Sequence, residues 1–196
     1  MLIKKMGRLL LDPPGFFSSI QGEGFHEPFI FLLSVSVIIA IFTPLVNYLG
    51  LPSTDTSAAY QAQIIAWRLT DNYLLPRLGN WAFLIEALLI VAFAILLAGM
   101  MSLIIHLLYR LAGGMGVWLN AWKAVCYGAA PCVLLGWLPY WSLFMGVWSL
   151  VLQFYYGPKV LYKLPEGRAL LILVLIVGAT LLELALTGTT VGFALK

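Results

Sequence analysis

The sequence predicts an all-α, polytopic integral membrane protein, and three observations carry that expectation. Hydrophobic residues make up 62% of the 196 positions and charged residues only 10%, with a mean hydropathy of +0.99; this suits one membrane domain and excludes an ordinary water-soluble globule. The apolar residues come in runs long enough, as helix, to cross a hydrocarbon core of ~30 Å. Between the runs stand short segments where glycine, proline and most of the charges collect. The chain divides accordingly into a cytoplasmic N-terminal lead-in (1–28), a membrane domain (29–188) and a C-terminal tail (189–196). Five transmembrane helices are expected, over about 29–49, 81–111, 118–137, 140–157 and 168–187.

In the lead-in, Lys4, Lys5 and Arg8 precede Leu9-Leu10-Leu11, an apolar stretch too short to be a cleaved signal. The first span is therefore expected to remain and to direct insertion. Asp12 suits a helix N-cap, and Pro13 and Pro14 suit a first turn. Residues 12–22 thus read as a short helix with Phe16, Phe17 and Ile20 on one face. Such a helix fits the cytoplasmic membrane surface, or else the two phenylalanines anchor an irregular segment.

The first span holds no ionisable residue and ends beyond Pro44 at GLPSTD, residues 50–55. Over 57–71, Tyr60, Ile64 and Trp67 recur at i, i+4 and i+7, with Gln61, Gln63 and Arg68 elsewhere. This predicts an amphipathic helix on the outer surface, too polar to span. The second span is long enough to tilt and carries Glu86 near its entry and His106 near its exit. Gly113-Gly-Met-Gly116 reads as a flexible turn. No strand precedes it and no lysine-serine pair follows, so it is no phosphate loop.

Residues 118–156 form an apolar run whose single formal charge is Lys123. A straight helix there would be about 58 Å long, twice the hydrocarbon core, so the run must fold back. Gly136-Trp-Leu-Pro139 supplies the corner, since Pro139 cannot continue helical hydrogen bonding. Within the first arm, Pro131 leaves the Tyr127 carbonyl without its helical donor, which predicts a kink. Cys126 and Cys132 point to opposite faces of that arm and read as reduced packing cysteines.

Lysine and arginine placement sets the orientation. With the N-terminus inside, the inner segments hold Lys4, Lys5, Arg8, Arg110, Lys123, Lys159, Lys163 and Arg168, and the outer side holds Arg68, Arg77 and Lys196. Eight against three favours a cytoplasmic N-terminus and an outer C-terminus.

Chemistry-bearing patterns are sparse. The basic residues are scattered between apolar runs, which argues against a nucleic-acid partner. HExxH, GxSxG and the dinucleotide fingerprint are all missing, so no enzyme and no cofactor is implied. His26 stands near Glu23 and Glu27, which is either a weak metal site or ordinary polarity before a membrane helix. Glu86 and Glu183 sit on opposite-running spans at matching outer depth. They either share a proton or a cation, or each reaches the interface or pairs with Arg77, Arg68 or a nearby hydroxyl such as Thr180 or Thr187. His106 lies nearer the cytoplasmic face, as a packing contact or as one of a polar chain with Ser102 and Tyr127. The kink at Pro131 is either a hinge or a device for close packing beside Gly128, Ala129 and Ala130.

The same residues carry a family resemblance. Tyr127-x-x-x-Pro131, then Leu134-Leu135 and a tryptophan-proline ending at Pro139, resembles the third membrane helix of the Ypt-interacting protein (Yip) family. Leu11-Asp12-Pro13 with Phe16-Phe17, and then Glu27-Pro28-Phe29, resemble the start of its short prokaryotic members. The resemblance implies a non-enzymatic role in membrane organisation or trafficking, through association with other membrane proteins or with itself. It also implies the plasma membrane of a prokaryote or, in a eukaryote, the Golgi or endoplasmic reticulum. Eukaryotic relatives engage Rab GTPases. Here Gly24-Phe-His-Glu-Pro28 stands where their Asp-Leu-Tyr-Gly-Pro motif would be, so Rab binding is not carried over. The alternative expectation is a small-solute or ion transporter using Glu86 and Glu183. Its weakness is that five spans do not divide into two equal halves.

Overall fold

A backbone in an apolar medium must satisfy its own N–H and C=O groups, and the α-helix does so within one segment. The computed structural model describes the backbone of residues 2–48, 70–79, 81–135 and 141–194, and the side chains of 2–42, 72–79, 81–135 and 144–182. Among these residues there is helix, turn and loop but no strand. The helices are α1 (Leu2–Leu11), α2 (Pro13–Ser19), α3 (His26–Tyr48), α4 (Leu75–Leu78), α5 (Trp81–Leu111), α6 (Trp118–Gly128), α7 (Ala130–Leu135), α8 (Trp141–Val151), α9 (Gly157–Leu161) and α10 (Glu166–Ala194). A π-helical turn, Leu152–Tyr156, joins α8 to α9, and another, Thr70–Leu74, precedes α4. The expected outer helix over 57–71 lies almost wholly outside the described residues, and so does the corner at 136–139.

The lead-in departs from expectation. Lys4, Lys5 and Arg8 belong to a ten-residue helix, α1, whose Leu9 is buried. Asp12 caps α2 by accepting a hydrogen bond from Gly15 N at 3.1 Å. Phe16, Phe17 and Ile20 do share a face, but that face packs into the protein core, with both phenylalanines at most 1% exposed. Burial against protein replaces the membrane-surface role expected of this segment.

Helix α5 is the one helix among the described residues long and apolar enough to cross a membrane, at a mean hydropathy of 2.9 over its best window; His26–Phe42 is a shorter apolar helix. Ala98, Ser102, Ile105 and Tyr109 form its buried stripe, at the i, i+4, i+7, i+11 spacing of one helix face. Leu88, Leu96, Leu103 and Leu107 point away from the protein. Helices α3 and α6 pack on α5.

Helices α6 and α7 meet at Ala129, two residues before Pro131, and the pair runs antiparallel to α8 and the π turn. Three contacts set the register. A Cβ at Gly157 would stand 3.0 Å from Ala124 Cβ, and one at Gly128 would stand 2.5 Å from Gln153 Cγ. One turn further on, Cys132 N donates to Ser149 Oγ at 3.1 Å. One partner falls by four as the other rises by four, so the pairing is symmetric about residues 140 and 141. Ala124, Gly128 and Cys132 thus line a seam at the four-residue spacing that lets membrane helices approach closely.

Candidate functional site

The polar side chains gather at the end of the bundle where α1, α2 and the turns at 112–117 and 162–165 meet. Two networks lie there. In the first, Lys5 on α1 donates to Glu23 Oε1 at 2.7 Å and to the Tyr127 hydroxyl at 2.9 Å. Tyr127 in turn donates to Glu23 Oε2 at 2.5 Å. The triangle closes on itself: each carboxylate oxygen accepts one bond, and the phenol both accepts and donates. Lys5 and Glu23 keep 19% of their side-chain exposure each, so the pair is partly desolvated and stronger than a surface pair. Phe16 meets the Tyr127 ring edge-on at 5.1 Å, and Phe31 packs on it at 4.8 Å. Tyr127 therefore touches α1, α2, α3 and the Glu23 turn at once. Beside it, buried Lys123 donates to the Gln21 carbonyl at 2.8 Å.

The second network centres on Tyr162, in the turn between α9 and α10. Its hydroxyl donates to the Val117 carbonyl at 2.9 Å and meets His106 Nδ1 at 2.5 Å. With the phenol proton on Val117, Nδ1 is the donor to the tyrosine oxygen. Burial pushes the Tyr162 phenol up to about 12, so it stays a neutral donor at physiological pH. Cβ atoms at Gly114 and Gly116 would stand 2.9 Å and 2.7 Å from the Tyr162 ring. The glycine-rich segment expected to be a flexible turn is instead a cradle that only glycine leaves open. Tyr109 packs edge-on against Tyr162 at 4.8 Å, and its hydroxyl donates to the Gln153 carbonyl. That carbonyl has no helical donor. Gly157 N bonds to Leu152, and the next residue, Pro158, has no N–H.

Each expected site residue can now be placed. Tyr127, Asp12, Pro13, Phe16 and Phe17 come together at this end, with Pro13 buried. Pro28 is buried as well, while Glu27 accepts from Gly24 N at 3.0 Å and acts on Tyr127 and Lys123 only through its charge. Glu23 turns to Lys5 and Tyr127, and His26 packs edge-on against Phe25, so the three candidate metal ligands do not converge. His106 and Tyr127 stand in separate networks, and Ser102 bonds to Gly99 O of its own helix at 2.8 Å. Pro131 is buried beside the break at Ala129, whereas Pro139 lies outside the described residues. Glu86 is buried near the start of α5, at the far end, and the Glu183 side chain lies outside the described residues. Helices α5 and α10 come together across a groove at their lead-in ends and are not among the closely packed helix pairs. A pairing of Glu86 with Glu183 falls outside the described side chains.

Sequence reading missed Lys5, Tyr109, Tyr162 and Arg168 as site residues, and took Lys123 only as a topological charge. Two of these had a signal. Lys123 is the lone charge in its apolar run, and Pro158 announces an orphan carbonyl one turn earlier, which the π turn places at Gln153 and not at the α-helical position 154. Lys5 had none, because its partners lie 18 and 122 positions away.

The family model for the Yip1 domain matches residues 7–187. No curated protein and no solved structure gives a match. Since the family match runs from the middle of α1 far into α10 and takes in both arms of the hairpin, the chain belongs to the Yip1 domain family of membrane proteins.

Proposed function

We propose that this chain is a non-enzymatic, five-span integral membrane protein with its N-terminus in the cytoplasm and its C-terminus outside. In this reading it acts as a membrane-organising or trafficking-type adaptor, associating through its helices with other membrane proteins or with a second copy. One observation supports the reading beyond family membership: the polar side chains gathered at the lead-in end hold the protein's own parts together. Lys5, Glu23 and Tyr127 bond to one another; Lys123, Tyr109 and Tyr162 bond to backbone carbonyls. A transporter needs such groups to face a path for its substrate. The apolar faces of α3, α5 and α10 then remain as the surface available to lipid and to partner helices.

The test pairs topology with association. Single cysteines at Ser57 and beside Lys196 are expected to react with an impermeant reagent outside intact cells, and one at Gly116 only after permeabilisation. Crosslinking in native membranes is expected to give defined membrane-protein adducts, while proteoliposomes show no ion or solute flux above lipid alone. External labelling at Gly116 would overturn the topology, and flux abolished by Glu86→Gln would overturn the adaptor reading.

A further inference from the structure

We propose that the groove between the lead-in ends of α5 and α10 is a binding site for one anionic glycerophospholipid, and that Arg168 holds its headgroup phosphate. The groove is open along its length and offers about 460 Å³; Leu111, Leu171 and Leu175 on its walls are each more than half exposed. Leu108 and Leu111 form one wall and Leu171, Ile172 and Leu175 the other. With Ala112 on one wall and Arg168 on the other, the lining follows the i, i+3, i+4 spacing of a single face on each helix, so two largely apolar stripes oppose each other without packing tightly together. An open slot with apolar walls suits an acyl chain better than a polar solute.

The mouth is basic and built. Arg168 lines the groove, and its Nη1 donates to the Ala112 carbonyl at 2.9 Å. The turn at Gly113, with φ of +90°, shapes that end of the groove, and a Cβ there would stand 2.5 Å from Nη1. The backbone thus leaves room for the guanidinium and offers it a single acceptor. A guanidinium has five N–H donors in a fork that fits phosphate oxygens. Among the described residues no carboxylate pairs with Arg168. Arg168 is exposed and already meets water; a phosphodiester above an acyl chain adds a matching anion there while its tail covers the apolar walls, so it fits both halves of the groove. Basic pockets between membrane helices on the cytoplasmic side commonly take anionic headgroups in this way. The inference uses the proposed topology only to assign the leaflet.

Native mass spectrometry of the full chain in mild detergent tests it, by titration with phosphatidylglycerol or with phosphatidylcholine of the same acyl chains. The expected result is one phosphatidylglycerol retained at about tenfold lower concentration than phosphatidylcholine. Arg168→Gln is expected to erase that preference, and Arg8→Gln, an exposed basic residue on α1, to leave it intact. Leu171→Trp keeps the arginine but fills the groove, and is expected to weaken retention of both lipids about tenfold. Millimolar glycerol phosphate is expected not to displace the lipid. Equal retention of the two lipids by the unaltered chain, or a preference that survives Arg168→Gln, would overturn the proposal. Equal sensitivity to Arg8→Gln would point to general surface charge, and displacement by glycerol phosphate to a small-anion site; either result overturns it too. If Arg168→Gln fails to fold, undiminished retention by Leu171→Trp overturns it alone. Detergent retention is read without reference to membrane sidedness, so its failure and a failed topology are separate results.

Discussion

The lead-in end of the bundle and the hairpin seam solve the same problem, holding helices together, with opposite chemistry. At the lead-in end, long polar side chains reach across 18 to 122 positions and bond to carboxylate, phenol and carbonyl groups. Along the seam, Ala124, Gly128 and Cys132 let two arms approach until a Cβ at Gly128 would overlap Gln153. Lipid is as apolar as leucine and gives helices no hydrophobic reason to associate, so close packing of small residues must do it. Where some water reaches, as at the Lys5–Glu23 pair with 19% side-chain exposure on each partner, bringing ions together costs less and polar networks become affordable.

Breaking the seam is expected to have the largest effect. Gly128→Leu drives a side chain into Gln153 Cγ and towards the Gln153 backbone nitrogen, 3.3 Å from the first added carbon. The expected cost is about 3 kcal/mol, read as a lower melting temperature in detergent. Gly146→Leu, on α8 with open space around its Cβ position, is the control and is expected to melt like the unaltered protein. Equal melting of the two variants would show that the seam does not hold the arms.

The polar triangle is expected to matter less and to behave as a unit. Tyr127→Phe removes the donor to Glu23 and one acceptor for Lys5, at about 1–2 kcal/mol. Lys5→Met combined with Tyr127→Phe is expected to cost less than the two single changes added together, because the residues share Glu23. Strict additivity would mean that the three side chains are neighbours without being a network. A Tyr127→Phe cost above that of Gly128→Leu would reverse the ranking of the two regions.

How legible these regions were follows from the distance between partners. The fold class, the helices at 26–48, 81–111 and 166–194, and the Asp12 cap all depend on residues close in sequence, so composition and spacing reveal them. Pro131 was readable for the same reason: a missing N–H acts on a carbonyl four residues away. The triangle was not. Glu23 looked like one of three surface ligands beside His26, and only the docking of α1 turns it inward. The glycines at 113–116 were misread because a flexible sequence and a cradle for a ring differ only in what is placed against them, here Tyr162, 46 positions beyond Gly116 by residue number. Glu86 stands out in the sequence as an acid within a long apolar run and is buried in the fold, whereas the Glu183 side chain lies outside the described residues, and depth alone does not say which helices touch.

The smallest expected effect lies at the rim of the lead-in end, where Tyr155 donates to Glu166 Oε1 at 2.6 Å and Lys159 pairs with the same oxygen at 3.2 Å. The Tyr155 hydrogen bond, and then Lys159, hold the Glu166 carboxyl below its usual range. The folded state therefore binds this proton less readily than the unfolded chain. The stabilisation is present above the ordinary glutamate value of ~4.3 and is lost as pH falls through the lower folded value. Lys159 is raised by the same contact, so its share is lost only on the alkaline side, as pH rises beyond the ordinary lysine range. Both groups stand well into solvent, at 38% and 64% side-chain exposure, so salt screens them. Glu166→Gln is expected to lower the melting temperature slightly at pH 7, by an amount that shrinks as pH falls through the lowered carboxyl range and vanishes in 1 M salt. Glu23→Gln, in the half-buried triangle, is expected to keep its difference in the same salt. If the Glu166 difference persists undiminished at low pH and in high salt, the contact is not ionic; if the Glu23 difference disappears in salt, the triangle is as exposed as the rim and the distinction between them falls.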